Sequence, residues 1–248
     1  MAIAVVTSSE SGVFKDAISN PTQALGANVS VGDLVVVVAC KENTGGTDPF
    51  IAADCTKSAG TATVGTITLD KTAELNIVDG PGFVVVGIWS CIVTGPGSLT
   101  MQVSNNATAD YWGSLSVGAY SGSWDASRVE ATNSGGSAAN DETSWITGNV
   151  TTAGAALLIA GVQSASGAAV TITEDSGGGW TLIAESQDGT LHAIGSVVRR
   201  IVTTGGTYGH TWSATVNGNF GWDAAIVAYK EGAGGSGVSK GLPILGVG

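Results

Sequence analysis

Apolar runs broken by glycine-rich turns set the rhythm of this chain. The longest, Leu34 to Cys40, holds seven consecutive apolar residues. A run of that length, bounded by turn signals and far too short to cross a bilayer, predicts a strand covered on both faces. A second run, Leu157 to Val162, follows Asn149-Val150-Thr151 and Gly154 much as the first follows Asn28-Val29-Ser30 and Gly32-Asp33. The two lead-ins differ in spacing by a residue or two, so the match needs an insertion or deletion.

Farther along, the match needs no gap. Ile92 to Tyr120 reappears as Ile201 to Tyr229, with seven identities over 29 positions. Ile-Val-Thr opens both copies, Gly97 matches Gly206, Ser104 matches Ser213, and Ala119-Tyr120 matches Ala228-Tyr229. Tyr111 faces a conservative partner in Phe220. Each copy reads as a strand, a Gly-rich turn, an alternating strand (99–103 and 208–212), an Asn/Gly loop and a closing strand (114–120 and 223–229). Period-two alternation and dense turn chemistry predict an all-β chain. An oily sheet face must be covered, which predicts an antiparallel two-sheet sandwich built from two similar halves, 24–122 and 146–230. Residues 1–23 supply an N-terminal strand and lead-in. The Ser/Gly/Ala/Asn-rich stretch 123–145 is expected to be a linker, and 231–248 a flexible C-terminal arm.

Two local patterns sharpen this picture. Asp175-Ser176-Gly177-Gly178-Gly179-Trp180 has the form of a hairpin, its glycines accepting positive φ and its tryptophan anchoring the next strand. Leu242-Pro243-Ile244-Leu245, on a Gly/Ser leash, is a short apolar peptide suited to docking on a neighbouring subunit.

Composition agrees with many short strands. Glycine, at 38 residues, is about twice its usual share, while the charged fraction, 12%, is about half of its own. High apolar content with low charge is the opposite of a disordered composition. The formal net charge of −11 argues against nucleic acid, whose phosphates need a basic footprint. No basic, long apolar leader follows Met1, so no secretory signal is expected and the chain should fold inside a cell. Cys40, Cys55 and Cys91 form an odd set without a CxxC spacing, which predicts reduced thiols packed as small hydrophobes.

Candidate chemistry is sparse. His192 and His210 lie in predicted strands without ligand-spaced partners, so no metal site is expected, and no cofactor motif is present. Asp141-Glu142 and Glu174-Asp175 are adjacent pairs, and neighbours on a strand point to opposite faces. Neither pair supplies two carboxylates to one cleft, as glycoside hydrolysis requires; Glu185 and Glu130 are the cross-sheet partners open to Glu174, and nothing in the spacing selects either. No catalytic residue is assigned. Of the seven tryptophans, Trp89 and Trp212 alternate with apolar neighbours and read as core. Trp112 and Trp222 flank the Asn-rich loops of the two halves, beside Asp110 and Asp223. They are the candidate partner-contact residues, together with Leu242, Pro243, Ile244 and Leu245.

The phrases GDLVVVVAC (32–40) and SGGGWTLIAES (176–186), with the closing Ala-Tyr strands, resemble the Gly/Ala/Thr-rich jelly-roll or concanavalin-like structural proteins of tailed phages. That resemblance covers most of 24–230. It implies a non-catalytic virion protein assembled in the host cytoplasm, a decoration (cement) subunit of the phage head. Its expected partners are the major capsid protein and further copies of itself, a trimer among the options, with no membrane and no nucleic acid. The alternative it implies is a tail or fibre module that binds a carbohydrate receptor through exposed tryptophans.

Overall fold

The computed structural model describes residues 2–6, 11–15, 20–43, 49–77, 82–104, 110–139, 142–166, 171–174, 177–185, 193–215 and 219–232. Apart from a single 3-10 turn at Ala52–Asp54, their regular structure is all β, and every strand pairing is antiparallel. Two large sheets dominate. The first is centred on Leu34–Asn43, flanked by Phe83–Gly95 and Asp110–Ser121, with Thr68–Asn76 beyond Phe83–Gly95. The second is centred on Ala156–Ser166, flanked by Ala193–Val202 and Asn219–Lys230, with Thr181–Glu185 and Val129–Ser137 at its edges.

All ten residues of Leu34–Asn43 are buried, so the unbroken apolar run does mark a strand covered on both faces. One face (Leu34, Val36, Val38, Cys40) meets Leu157, Ile159, Val197 and Val227 of the second large sheet in a shared core. The other (Val35, Val37, Ala39) packs with Trp89, Met101, Val103 and Cys55, the last three from a small sheet formed by Thr22–Ala24, Thr100–Val103 and Cys55–Ala59. The second large sheet is treated alike. Leu158, Ala160 and Ile226 on its far face pack with Trp145, Ile172 and Trp212, which belong to the small sheet of Ser144–Ile146, Thr211–Ala214 and Ile172–Glu174.

Among the described residues the expected two layers are therefore four, with the three largest apolar cores between them. Pattern alone indicates that both faces of a strand are covered, and leaves open what covers them.

The expected linker 123–145 also needs correction. Val129–Ser137 pairs along its length with Asn219–Lys230 as an edge strand, and Ser144–Ile146 pairs with Thr211–Ala214. The Ser, Asn and Gly residues that suggested a loop serve here on a half-exposed edge, where a strand needs little apolar surface. The hairpin read at 177–179 is a turn with Gly178 and Gly179 at φ of 92° and 85°. Trp180 is buried immediately after it.

Register is matched in the two large sheets. Leu34 lies opposite Ile92 on one side and Tyr120 on the other, and Leu157 lies opposite Ile201 and Tyr229. A register shift falls between Leu69 and Lys71 in one outer strand and between Leu182 and Ala184 in the other.

Candidate functional site

The densest polar constellation in the described residues lies where the two large sheets meet. It begins with the irregularity at Asp70. A bulge inserts one residue into a strand and re-aims a side chain, and the Asp70 carboxylate here takes part in the interlayer network. Its Oδ1 accepts from Thr68 Oγ1 at 2.8 Å, and its Oδ2 accepts from Tyr229 Oη at 2.8 Å and from Ser90 Oγ. Thr68, Asp70 and Ser90 belong to the first large sheet, Tyr229 to the second.

Arg128 closes the network from the second layer, one residue ahead of Val129–Ser137. Its Nε donates to Ser90 Oγ at 2.8 Å, and its Nη2 donates to Thr68 Oγ1 at 2.7 Å and to the Ser90 carbonyl at 3.0 Å. Two hydroxyls thus each accept from the guanidinium and donate to the carboxylate. Arg128 is only 5% exposed. Asp70 and Thr68 are half-buried, so removing one charged member costs up to about 3–5 kcal/mol, the figure for a fully buried pair. Burial first, and then the neighbouring Asp70 carboxylate, push the Tyr229 phenol well above its ordinary range, so it stays protonated and acts as a donor.

Beside the network opens a cleft of about 270 Å³ lined by Gly65, Thr66, Thr68, Ile92, Ala126 and Arg128. Thr66 and Ala126 are exposed at its rim and Arg128 lies deep. Neither Arg128 nor its partners belong to a recognisable sequence motif. Arg128 stands in the stretch read as a linker, and its hydroxyl partners lie 38 and 60 positions away. Only the fold brings them together.

The opposite end of the interlayer face is polar in another way. Glu42 is fully buried, and among the described residues neither of its carboxylate oxygens has a hydrogen-bond partner. Burial pushes its pKa from 4.5 up to about 8. Asp223, also buried, is pushed up to about 7 by burial, against the opposing effect of the Ala224 N–H at 2.9 Å.

The residues singled out from sequence fare unequally. Trp222 is 5% exposed, its indole N–H donating to Glu142 Oε2 at 2.6 Å and its ring 6.4 Å from that of Trp145 at 23°. It belongs to an apolar core rather than to a contact surface, because its strand turns that face inward onto the small sheet. Trp112 pairs with Lys41 and Lys15 in the strands on either side of it. Leu242, Pro243, Ile244 and Leu245 lie outside the described residues. Trp89 and Trp212 are fully buried, as their alternation suggests.

Glu142 of the first acidic pair accepts from Trp222 and, through Oε1, from Ser137 Oγ at 2.8 Å, so it is used in packing. Glu174 has its pKa raised by burial and then by Glu185, whereas Glu130 caps the backbone N–H of Ala153 at 3.1 Å. His210 is wedged between Trp180 and Trp212, ring centroids at 4.8 and 4.3 Å. Among the described residues no group of three His, Cys, Asp or Glu side chains could hold a metal ion. Cys40, Cys55 and Cys91 are free and buried. No helix among the described residues is long and apolar enough to cross a membrane. Compared with family models, with curated proteins and with solved structures, the chain matches none of them.

Proposed function

We propose that the chain is a non-catalytic structural protein of a virion, a decoration subunit that covers joints on a phage head and adds binding energy to the shell. The observation that carries this reading is how the polar side chains between the layers are used. Arg128, Asp70, Ser90, Thr68 and Tyr229 tie one large sheet to the other. Glu142 ties Trp222 to the Ser137 edge. Side chains committed in this way build a stiff block, which suits a part whose task is to resist deformation. The acidic surface implied by a net charge of −11 keeps such a block soluble until it meets its shell. The resemblance of 32–40 and 176–186 to tailed-phage structural proteins supplies the location, and with it the major capsid protein as partner.

The matched register supports a finer reading of the architecture. Equivalent leucines sit opposite equivalent Ile and Tyr residues, and both outer strands shift register at corresponding places. On this reading each half is one jelly-roll-like module, duplicated and stacked back to back within a β-sandwich-like whole.

The test is direct. Purified protein mixed with expanded shells should co-sediment at a fixed stoichiometry and raise the shell's melting temperature. Failure to bind under conditions where the protein remains folded removes the proposal.

A further inference from the structure

We infer that the cleft over Arg128 is a binding site for a singly charged carboxylate carried on a body of about one sugar ring. The inference is independent of the virion reading, since it concerns a small ligand and not a shell.

The donor inventory is its basis. A guanidinium has five N–H donors in a fixed fork. Nε and both N–H groups of Nη2 are occupied by Ser90 Oγ, Thr68 Oγ1 and the Ser90 carbonyl. The two N–H groups of Nη1 make no hydrogen bond within the described residues, and Arg128 lines the cleft. A guanidinium so deeply buried, with two donors unspent beside an open cleft, presents a preorganised site for an oxyanion. Its carboxylate counterpart, Asp70, is reached only through the Thr68 and Ser90 hydroxyls and leaves those two donors available.

The walls are already built. At one rim Gly65 N–H is held by the Ile92 carbonyl at 2.8 Å. At the other, Ala126 stands on a turn closed by Arg128 N–H to the Asp125 carbonyl at 3.3 Å. Asp125 Oδ1 fixes that turn by accepting from the Ser127 N–H and hydroxyl at 2.7 and 2.8 Å. The same Ser127 bonds hold the Asp125 carboxyl below its ordinary pKa, with Lys230 and Arg128 adding to the effect.

Charge and size select the ligand class. A chain of net charge −11, with the exposed Asp125 one residue ahead of Ala126, repels a doubly charged phosphate more than a carboxylate. A volume of about 270 Å³ falls just below the ~300–1,000 Å³ of sites for drug-sized molecules, which suits a single ring. Thr66 offers a hydroxyl, and Ile92 an apolar wall.

The experiment is an amide-shift NMR titration of the full chain with sodium glucuronate, cyclohexanecarboxylate, acetate and inorganic phosphate. Saturating shifts at Gly65, Thr66 and Ala126 are expected with a dissociation constant on the order of 1 mM for at least one of the two ring-bearing acids. Acetate and phosphate should bind about tenfold more weakly or worse. Preference for glucuronate would assign an acidic sugar, and preference for cyclohexanecarboxylate an aliphatic acid. Ala126→Glu, on an exposed turn, should weaken binding at least about tenfold without moving the melting temperature. Arg128→Lys should abolish binding, but it also disturbs the interlayer tie, so Ala126→Glu is the deciding variant. Shifts that fail to saturate, phosphate or acetate binding as tightly as the ring-bearing acids, or binding unaltered by Ala126→Glu would each overturn the inference.

Discussion

Replacing Glu42 by Gln should change how stability depends on pH more than it changes stability itself. Glu42 sits in Leu34–Asn43 between Val84 and Tyr111 of the adjoining strands. It is 0% exposed, and both its oxygens lack partners among the described residues. Charging it there strips water from a carboxylate that gains nothing in return, which is why its pKa rises from 4.5 to about 8. The folded state therefore holds this proton over a range where the unfolded chain has released it. Stability associated with the group is fully present below pH 4.5 and is lost progressively as pH rises to about 8. At about 1.4 kcal/mol per pKa unit, the loss has a ceiling of about 5 kcal/mol. Relaxation and water entry in real interiors reduce it to about 2–4 kcal/mol.

Gln is neutral throughout and nearly isosteric. Glu42→Gln should thus match the native chain within about 1 kcal/mol at pH 5 and exceed it by about 2–4 kcal/mol at pH 9. Urea unfolding at a series of pH values, with equal m for both proteins, measures this. Subtracting one curve from the other cancels common titrations such as that of Asp223. A difference that stays flat from pH 5 to pH 9 would mean that Glu42 ionises without penalty, and the account of a dry, unpartnered carboxylate would be refuted.

Two further outcomes are expected. Tyr229→Phe removes only the hydroxyl that Tyr229 donates to Asp70 at 2.8 Å, so chemical denaturation should show a loss of about 1.5–3 kcal/mol, the range for a hydrogen bond to a charged group; a change below about 0.5 kcal/mol would show that the hydroxyl contributes nothing to the tie. The three thiols should be inert to a thiol-specific reagent in the native protein and react together on unfolding, because burial pushes Cys40 and Cys91 up to about 12 and raises Cys55 as well; fast labelling of any one of them in native buffer would contradict the packing described.

What pattern can reveal depends on whether a residue's role is local. Leu34 to Cys40, Trp89 and Trp212 were legible because burial imposes an apolar alphabet on whatever strand it covers. Gly178 and Gly179 were legible because a positive φ selects glycine whatever surrounds it. Val129–Ser137 was not, since an edge strand with one wet side tolerates the same Ser, Asn and Gly that loops use. Trp222 was misread because a tryptophan beside an Asn-rich loop has the same neighbours in sequence whether its ring points out or in. Arg128 carried no signal at all. Its meaning lies in Thr68, Asp70 and Ser90, which reach it only through a strand crossing in three dimensions.

The same distinction explains why the interlayer face is not wholly oily. Two flat apolar sheets packed through valines and alanines have many nearly equivalent ways to slide, since dispersion and burial are not directional. Close approach is ensured by small residues. At Gly161 an added Cβ would lie 2.9 Å from Val38 Cγ1 and 3.2 Å from Val86 Cγ1, so the sheets nearly touch there. Closeness alone does not choose a register. A slip of one residue would pull Arg128 and Tyr229 away from Ser90, Thr68 and Asp70, stranding a buried cation and a half-buried anion at a cost of up to several kcal/mol. The polar tie at one end thus fixes which of the many oily overlaps is native. The guanidinium must sit deep to do this, and the residue that carries it also lines the cleft with Ala126 and Thr66.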